Sequence, residues 1–315
     1  MKRNIAVIGC GYWGQNLVRN FHELNSLYAV CDHDSKVADK FADLYNVKSI
    51  NLNELLVDKN IDGVVIASPV EFHAELAISV IKAKKHVFIE KPIASNIDEA
   101  EEIIRIAKEN NISVMVGHLL QYHPAFKRLA VLVNENKVGK LHYISSTRKS
   151  FGKIRKFEDV IWSFAPHDIS MILKLAHKSP LTIKCNSSSF MQEDISDVAS
   201  VHLYFADNLR ADINVSWIHP EKEQKLIVIG SKGMLVFDDV KPWDEKLAFY
   251  SYKISKQNGS IIHSKKDVEF IKVKDDEPLK NECKHFLKVV GGENPITNGE
   301  EGLSVLRVLS KTLKK

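Results

Sequence analysis

The stretch HVFIEKPIA, residues 86–94, decides how the first half of this chain is read. Residues 86–89 form a short apolar run with the length of a buried strand. They lead without a break into Glu90-Lys91-Pro92. An acid and a base side by side at a strand end, closed by proline, suit either a solvated surface turn or the rim of a binding site. Proline disfavours helix at the residue before it, so Lys91 is expected to be extended with its side chain directed forward.

The sequence around this stretch alternates strand and helix. NIAVI (residues 4–8) reads as a buried strand. It is followed by Gly9-Cys10-Gly11-Tyr12-Trp13-Gly14 and then a helical run, QNLVRNFHEL. Residues 27–31 form a second strand ending at Asp32. A helix is expected over 35–45, a strand near 47–50, a short helix in NLNELLVD, and a clear strand in GVVIAS, residues 63–68. The helix AELAISVIKA leads into residues 86–89. Ser95-Asn96-Ile97-Asp98 has the form of a helix-start capping box. Its helix places Ile97, Ala100, Ile103, Ile104 and Ala107 on one stripe, and the strand SVMVG ends at Gly117. Near-continuous Val/Ile runs between helices indicate parallel strands covered on both faces. The expectation is a doubly wound α/β domain.

Gly-x-Gly-x-x-Gly is a weak signal by itself. Here it follows a strand, opens a helix, and precedes by 18 residues (Gly14 to Asp32) an acid at the end of the next strand. In that setting Gly9 permits the tight turn, Gly11 lets backbone N–H groups approach a pyrophosphate, and Gly14 allows the helix to pack closely. Tyr12 and Trp13 lie within the turn. Asp32 would accept from the ribose hydroxyls and repel a 2′-phosphate, and His33-Asp34 supply no arginine, so NAD is expected rather than NADP. Ser68 and Pro69 end one strand on the same carboxyl-side rim as Glu90 and Lys91, and His73 starts the helix that follows. These residues complete the candidate cofactor-contact set.

The second half changes style. HLLQYHPAFKRLAVLV begins with a turn-like His-Pro and becomes an amphipathic helix. In VASVHLYF (198–205) and RADINVSWI (210–218) apolar and polar residues alternate. Ala206-Asp207-Asn208 suggests a hairpin between them, and Ser231-Lys232-Gly233 joins KLIVIG to GMLVFDD. This is the pattern of an antiparallel sheet with one face on a core. Its other face suits a substrate or a second subunit. His167 and Asp168 follow Pro166 near the expected start of a helix and would point into a cleft. In SSTRKSFGKIRK, Arg148, Lys153 and Arg155 read as a solvated basic loop or as a clamp for an anionic substrate.

Composition excludes several function classes. With 315 residues, 44% hydrophobic and 27% charged, the chain suits a soluble globular protein of one large domain or two. A net charge of +4 spread along the chain gives no reason to expect a nucleic-acid partner. Cys10, Cys31, Cys185 and Cys283 form no short-spaced pair, which suits reduced thiols in the cytoplasm, and no metal-ligand set is apparent. The four-residue apolar run before Gly9 is short for a signal peptide, and no stretch approaches membrane-span length.

GCGYWG, Asp32, IEKP at 89–92 and SFAPHDIS at 163–170 together resemble the glucose–fructose oxidoreductase/inositol dehydrogenase family (Gfo/Idh/MocA), over nearly the whole chain. The resemblance implies a Rossmann domain (residues 1–121) and an α+β domain with a large, mostly antiparallel sheet (122–315). The last helix, about 299–314, would pack back on the first domain, and the chain would form a homodimer or homotetramer. It implies that Lys91 and His167 are the catalytic pair. An acid or asparagine stands four residues before this histidine in some members, where this chain has Ser163. Within the family, GHLLQYHPAF and IWSFAPHDIS look most like enzymes that oxidise the 3-hydroxyl of UDP-N-acetylglucosamine or its uronic acid. Lys91, Arg148, Lys153, Arg155, His167 and Asp168 would then contact a UDP-linked sugar. Inositol, a free sugar, or a 3-keto deoxysugar run in the reductive direction is the alternative. A non-catalytic NAD-binding sensor is the alternative of another class.

Overall fold

The computed structural model describes residues 3–312 except 153, 157, 258 and 259, with backbone alone for 255–257 and 265. Lys153 therefore lies outside the described residues. Two compact units emerge, one formed by the chain up to Tyr122 together with Glu277–Ser310, the other by His123–Asp276.

The first unit begins with β1 (Ile5–Ile8), α1 (Gly14–Glu23), β2 (Leu27–Cys31), α2 (Ser35–Tyr45), β3 (Lys48–Ser49) and α3 (Leu52–Val57). It continues with β4 (Gly63–Ile66), α4 (His73–Lys82), β5 (His86–Ile89), α5 (Ile97–Asn110) and β6 (Val114–Val116). All pairings are parallel, in the order β3-β2-β1-β4-β5-β6. Val7, Val64, Val65, Phe88 and Ile89 are fully buried, which is why these strands read as unbroken apolar runs. The strand order reverses between β1 and β4, so the turn after β1 and the turn after β4 flank the crevice where such sheets take ligands. The helix start expected at Ser95 falls one residue later. The Asn96 side chain caps α5 by accepting from Glu99 N–H at 2.9 Å, while Glu99 accepts from Ser95 N–H at 3.1 Å.

The second unit contains α6 (Pro124–Asn134), β7 (Leu141–Phe151), α7 (Val160–Ala176), β8 (Thr182–Ser188), β9 (Val198–Tyr204) and β10 (Arg210–Ser216). Then come β11 (Ile218–Gly230), β12 (Gly233–Asp238), β13 (Leu247–Gln257), β14 (Ser260–Lys265) and β15 (Glu269–Phe270). The sheet runs β14-β13-β12-β11-β7-β10-β9-β8, with β15 on β13. Its pairs are antiparallel except β7 with β10, which is parallel. Ala199, Val201, Leu203, Ala211, Ile213 and Val215 are buried on the face where α7 packs. The opposite face carries Ser200, which donates to Asn214 at 2.8 Å. It also carries Asp212, which accepts from Tyr143 at 2.6 Å and lies 2.6 Å from His202 Nδ1.

Two helices, α8 (Pro278–Val290) and α9 (Gly299–Ser310), return to the first unit, one more than expected. Residues 277–310 thus leave the second domain drawn from the sequence. The reason is apolar: Phe286 packs edge-on to Phe21 and tilted on Phe88, and α9 lies against α5 and β6. Glu282 of α8 is 1% exposed and neither carboxyl oxygen has a partner among the described residues. Burial, then the charges of Glu90 and Glu301, hold its pKa well above the usual carboxylate value. The folded chain therefore keeps a proton that the unfolded chain releases, and stability declines as pH rises above the ordinary carboxylate pKa. Glu282→Gln should flatten the stability–pH slope by up to about 1.4 kcal/mol per pH unit, as read by denaturant unfolding at a series of pH values.

Candidate functional site

The glycine turn is built by close backbone approach. Gly9 has φ +88°, and a Cβ there would lie 2.8 Å from the Ala67 carbonyl and Ser68 N, so only glycine fits. A Cβ on Gly14 would lie 1.8 Å from the Gly9 oxygen. On Gly11 it would meet no protein atom within 4 Å, so this glycine leaves open space above the turn. The first turn of α1 carries no side-chain cap and no acid, which leaves its positive dipole end open to an anion, while the Gln15 and Asn16 N–H groups donate to the Gly11 and Trp13 carbonyls at 3.1 and 2.9 Å. These features fit a pyrophosphate.

Asp32 is tied into the same turn. Its Oδ2 accepts from Cys10 N–H at 2.7 Å, and its Oδ1 accepts from Asp34 N–H at 3.1 Å and lies 2.9 Å from His33 Nδ1. It shapes the turn first, and Oδ2, whose partner is the Cys10 N–H, keeps a lone pair for a ribose hydroxyl. Burial first, then the Asp32 charge, pushes the Cys10 thiol up to about 12 and the Cys31 thiol up to about 11, so both are inert.

The end of β5 is organised by Glu90, which is 8% exposed. Its Oε1 accepts from the Trp13 indole N–H at 2.6 Å and its Oε2 from Lys91 N–H at 3.2 Å. Burial raises its pKa, opposed by the Trp13 bond and the Lys91 charge. A Cβ on Gly117 would lie 3.0–3.2 Å from this carboxyl group, so the glycine makes its room. Glu90 thus faces inward as a brace between the glycine turn and Lys91, where the sequence suggested a direct cofactor contact. The Lys91–Pro92 bond is cis.

His73 is corrected in the same way. It is buried, with Nδ1 2.8 Å from the Pro92 carbonyl and Nε2 2.9 Å from the Ser68 carbonyl. It is a strut between the turns after β4 and β5, not a side chain presented to a cofactor. Burial is the largest influence on it and lowers its pKa, and a neutral ring donates to only one of the two carbonyls. Ser68 and Pro69 stay at the surface of the rim, as does Tyr12. The sequence offers no acid or cysteine to complete a metal set around His118 and His123; the structure buries His118 with Nδ1 2.5 Å from Glu301 Oε2, a partner 183 residues away.

In the second unit, α7 starts at Val160 with Asp159 as N-cap, so Pro166 lies inside the helix and not in its first turn. His167 is half-buried on this helix. Asp168 does not point into a cleft. It is 1% exposed, with Oδ1 accepting from Ser146 Oγ at 2.6 Å and Oδ2 from Arg148 Nε at 2.7 Å. Arg148 belongs to strand β7 rather than a loop and is spent on this buried pair, which removes both residues from the substrate clamp. Arg155 is half exposed and lies 3.3 Å from Glu158. No cluster of metal-ligating side chains occurs among the described residues, and no helix there is long and apolar enough to cross a membrane.

A doubly wound sheet with an uncapped glycine turn, an acid closing β2 and a lysine at the end of β5 defines a dinucleotide-binding oxidoreductase. The family comparison agrees. Residues 3–118 match the oxidoreductase family with NAD-binding Rossmann fold, and residues 126–236 match the GFO/IDH/MocA C-terminal domain. The chain belongs to the Gfo/Idh/MocA family. It is 26% identical over 318 residues to myo-inositol 2-dehydrogenase of Thermotoga maritima, covering 96% of this chain and 92% of that one. It is 23% identical over 311 residues to UDP-N-acetylglucosamine 3-dehydrogenase of Acidithiobacillus ferrooxidans, covering 98% and 95%. A solved structure of the latter superposes with a TM-score of 0.86 at 21% identity, over 99% of this chain and 97% of that one.

Two outcomes are expected. Gly14→Ala should weaken dinucleotide binding about 100-fold or more, equivalent to about 3 kcal/mol, measured by equilibrium titration. Arg148→Met strands a buried carboxylate and should cost about 3–5 kcal/mol in urea unfolding, with part recovered in Arg148→Met/Asp168→Leu.

Proposed function

We propose that the chain is an NAD-dependent dehydrogenase that oxidises a ring hydroxyl of a nucleotide-linked hexosamine to a ketone. The 3-hydroxyl of UDP-N-acetylglucosamine or its uronic acid is the candidate of choice. The observation that carries this reading is the brace through Glu90, which sets Lys91 beside the glycine turn on the ligand-binding edge of the sheet. The full-length likeness to a UDP-N-acetylglucosamine 3-dehydrogenase supports the substrate class. Asp32 supports NAD over NADP, because its charge would repel a 2′-phosphate and His33 and Asp34 offer no arginine to offset it.

When bound, the nicotinamide supplies a hydride acceptor. Lys91 hydrogen-bonds the substrate hydroxyl oxygen and steadies it as the carbonyl forms. His167 takes the hydroxyl proton, so the carbinol carbon loses its hydride and the oxygen its proton in one oxidation. Positioned proton transfer of this kind contributes about 10²–10⁴-fold to rate.

The test is nicotinamide reduction with UDP-N-acetylglucosamine, its uronic acid, free N-acetylglucosamine and myo-inositol, with NAD and NADP in parallel and a scavenger for the ketone. Turnover is expected with a UDP-sugar and NAD. Turnover confined to inositol would replace the substrate and keep the chemistry. Lys91→Met and His167→Asn should each lower kcat by about 10²–10⁴-fold while NAD still binds. Wild-type rates in both would overturn the assigned roles, and tight NAD binding with no turnover on any sugar would favour a sensor.

A further inference from the structure

The connection between β8 and β9 is held by a buried acid outside every motif described above. Asp197 is fully buried, and its Oδ2 accepts from the main-chain N–H groups of Phe190 at 2.6 Å and Met191 at 2.8 Å. Its Oδ1 accepts from the Trp217 indole at 2.5 Å. Burial works against ionisation, but these three donors hold its pKa below the usual carboxylate value. The loop is therefore a built structure. Yet it leaves Phe190 65% and Met191 56% exposed, around a cleft of about 590 Å³ lined by residues 187–194.

The same loop is stitched to the basic segment after β7. Gln192 Nε2 donates to the Arg155 carbonyl at 2.7 Å, and Gly152 N–H donates to the Trp217 carbonyl at 3.1 Å. Phe151, 77% exposed, ends β7 at this point. Val160 N–H, the first of α7, donates to the Ser196 carbonyl at 3.0 Å, so the helix that carries His167 starts at the loop. His167 lies seven positions after Val160, a rise of about 10 Å along the helix.

We propose that this shelf binds the nucleoside diphosphate of the substrate, with the base on Phe190 and Met191 and the phosphates toward Arg155 and Lys156. The inference rests on the nucleotide-sugar reading and gives it a location. Large uncovered aromatic and thioether groups on a rigid loop suit the face of a base. Arg155 and Lys156 keep exposed cationic heads, the first with Glu158 as its only carboxylate partner among the described residues. The charge distribution sets the direction. Glu193 and Asp194, exposed at the loop tip, repel phosphate but accept from a pyrimidine N3–H, which places the base at the loop and the diphosphate at the basic segment.

The test is equilibrium titration of the full-length protein with UDP, alongside KM and kcat for UDP-N-acetylglucosamine. The proteins compared are wild type, Phe190→Ala, Phe190→Trp and Phe190→Ala/Met191→Ala. The alanine variants should weaken UDP binding and raise KM by about 10- to 100-fold, the range that loss of base stacking gives, with kcat little changed. Phe190→Trp, which restores an aromatic face, should bind UDP as the wild type does. Wild-type UDP affinity in the alanine variants would overturn the shelf and leave the nucleotide-sugar reading standing. Wild-type protein that neither binds UDP nor turns over the UDP-sugar would overturn both. A change of oligomeric state in the alanine variants, with UDP affinity intact, would assign the surface to a protein contact and overturn the proposal.

Discussion

The carboxylate of Glu90 lies in the interior of the first unit, with one oxygen on the Trp13 indole and the other on the Lys91 amide. A charged group there is costly unless its lone pairs are used. Those two donors come from the two segments a dinucleotide site must hold together: the glycine turn after β1 and the lysine after β5. Around this bond the other features fall into place. Gly117 provides the space, His73 spans the turns after β4 and β5, and Asp32 holds the turn from its far side. The resulting edge has a rigid main chain, while Ser68, Pro69 and Lys91 are not fully enclosed.

The second unit uses the same device twice. Asp168 is buried against Ser146 and Arg148, fixing α7 to β7 close to His167. Asp197 is buried against Trp217 and two main-chain amides, fixing the β8–β9 loop. In each case the buried acid acts on chain geometry and the neighbouring residue is the one that can meet a ligand. Buried, fully partnered polar groups specify one arrangement among several that would bury similar apolar area. A site that discriminates among hydroxyls of a sugar needs that geometric precision.

The likeness to relatives spans both units and nearly the full length of each chain, yet the best-covered relatives named above share only 23–26% of residues. The architecture is nonetheless shared, since the solved structure of the second superposes with a TM-score of 0.86. The two named relatives act on unlike molecules, a cyclitol and a nucleotide sugar.

The residues themselves determined the parallel sheet, the alternating sheet, the glycine turn and the position of Lys91 at a strand end. These are local properties: strand and helix periods, glycine spacing and proline's effect on its neighbour are written within a few consecutive residues. What only the tertiary structure decided was the partner of each polar side chain. Arg148 looked like part of an exposed clamp and is paired with Asp168, 20 residues away. Glu90 and His73 looked like cofactor contacts and are braces. Asp197 and Glu282 carry no sequence signal, and one is a hub while the other is buried without a hydrogen-bond partner among the described residues. Pairing of this kind depends on which surfaces meet after folding, and burial in a low-dielectric interior then fixes whether a charge is spent inside or offered outside.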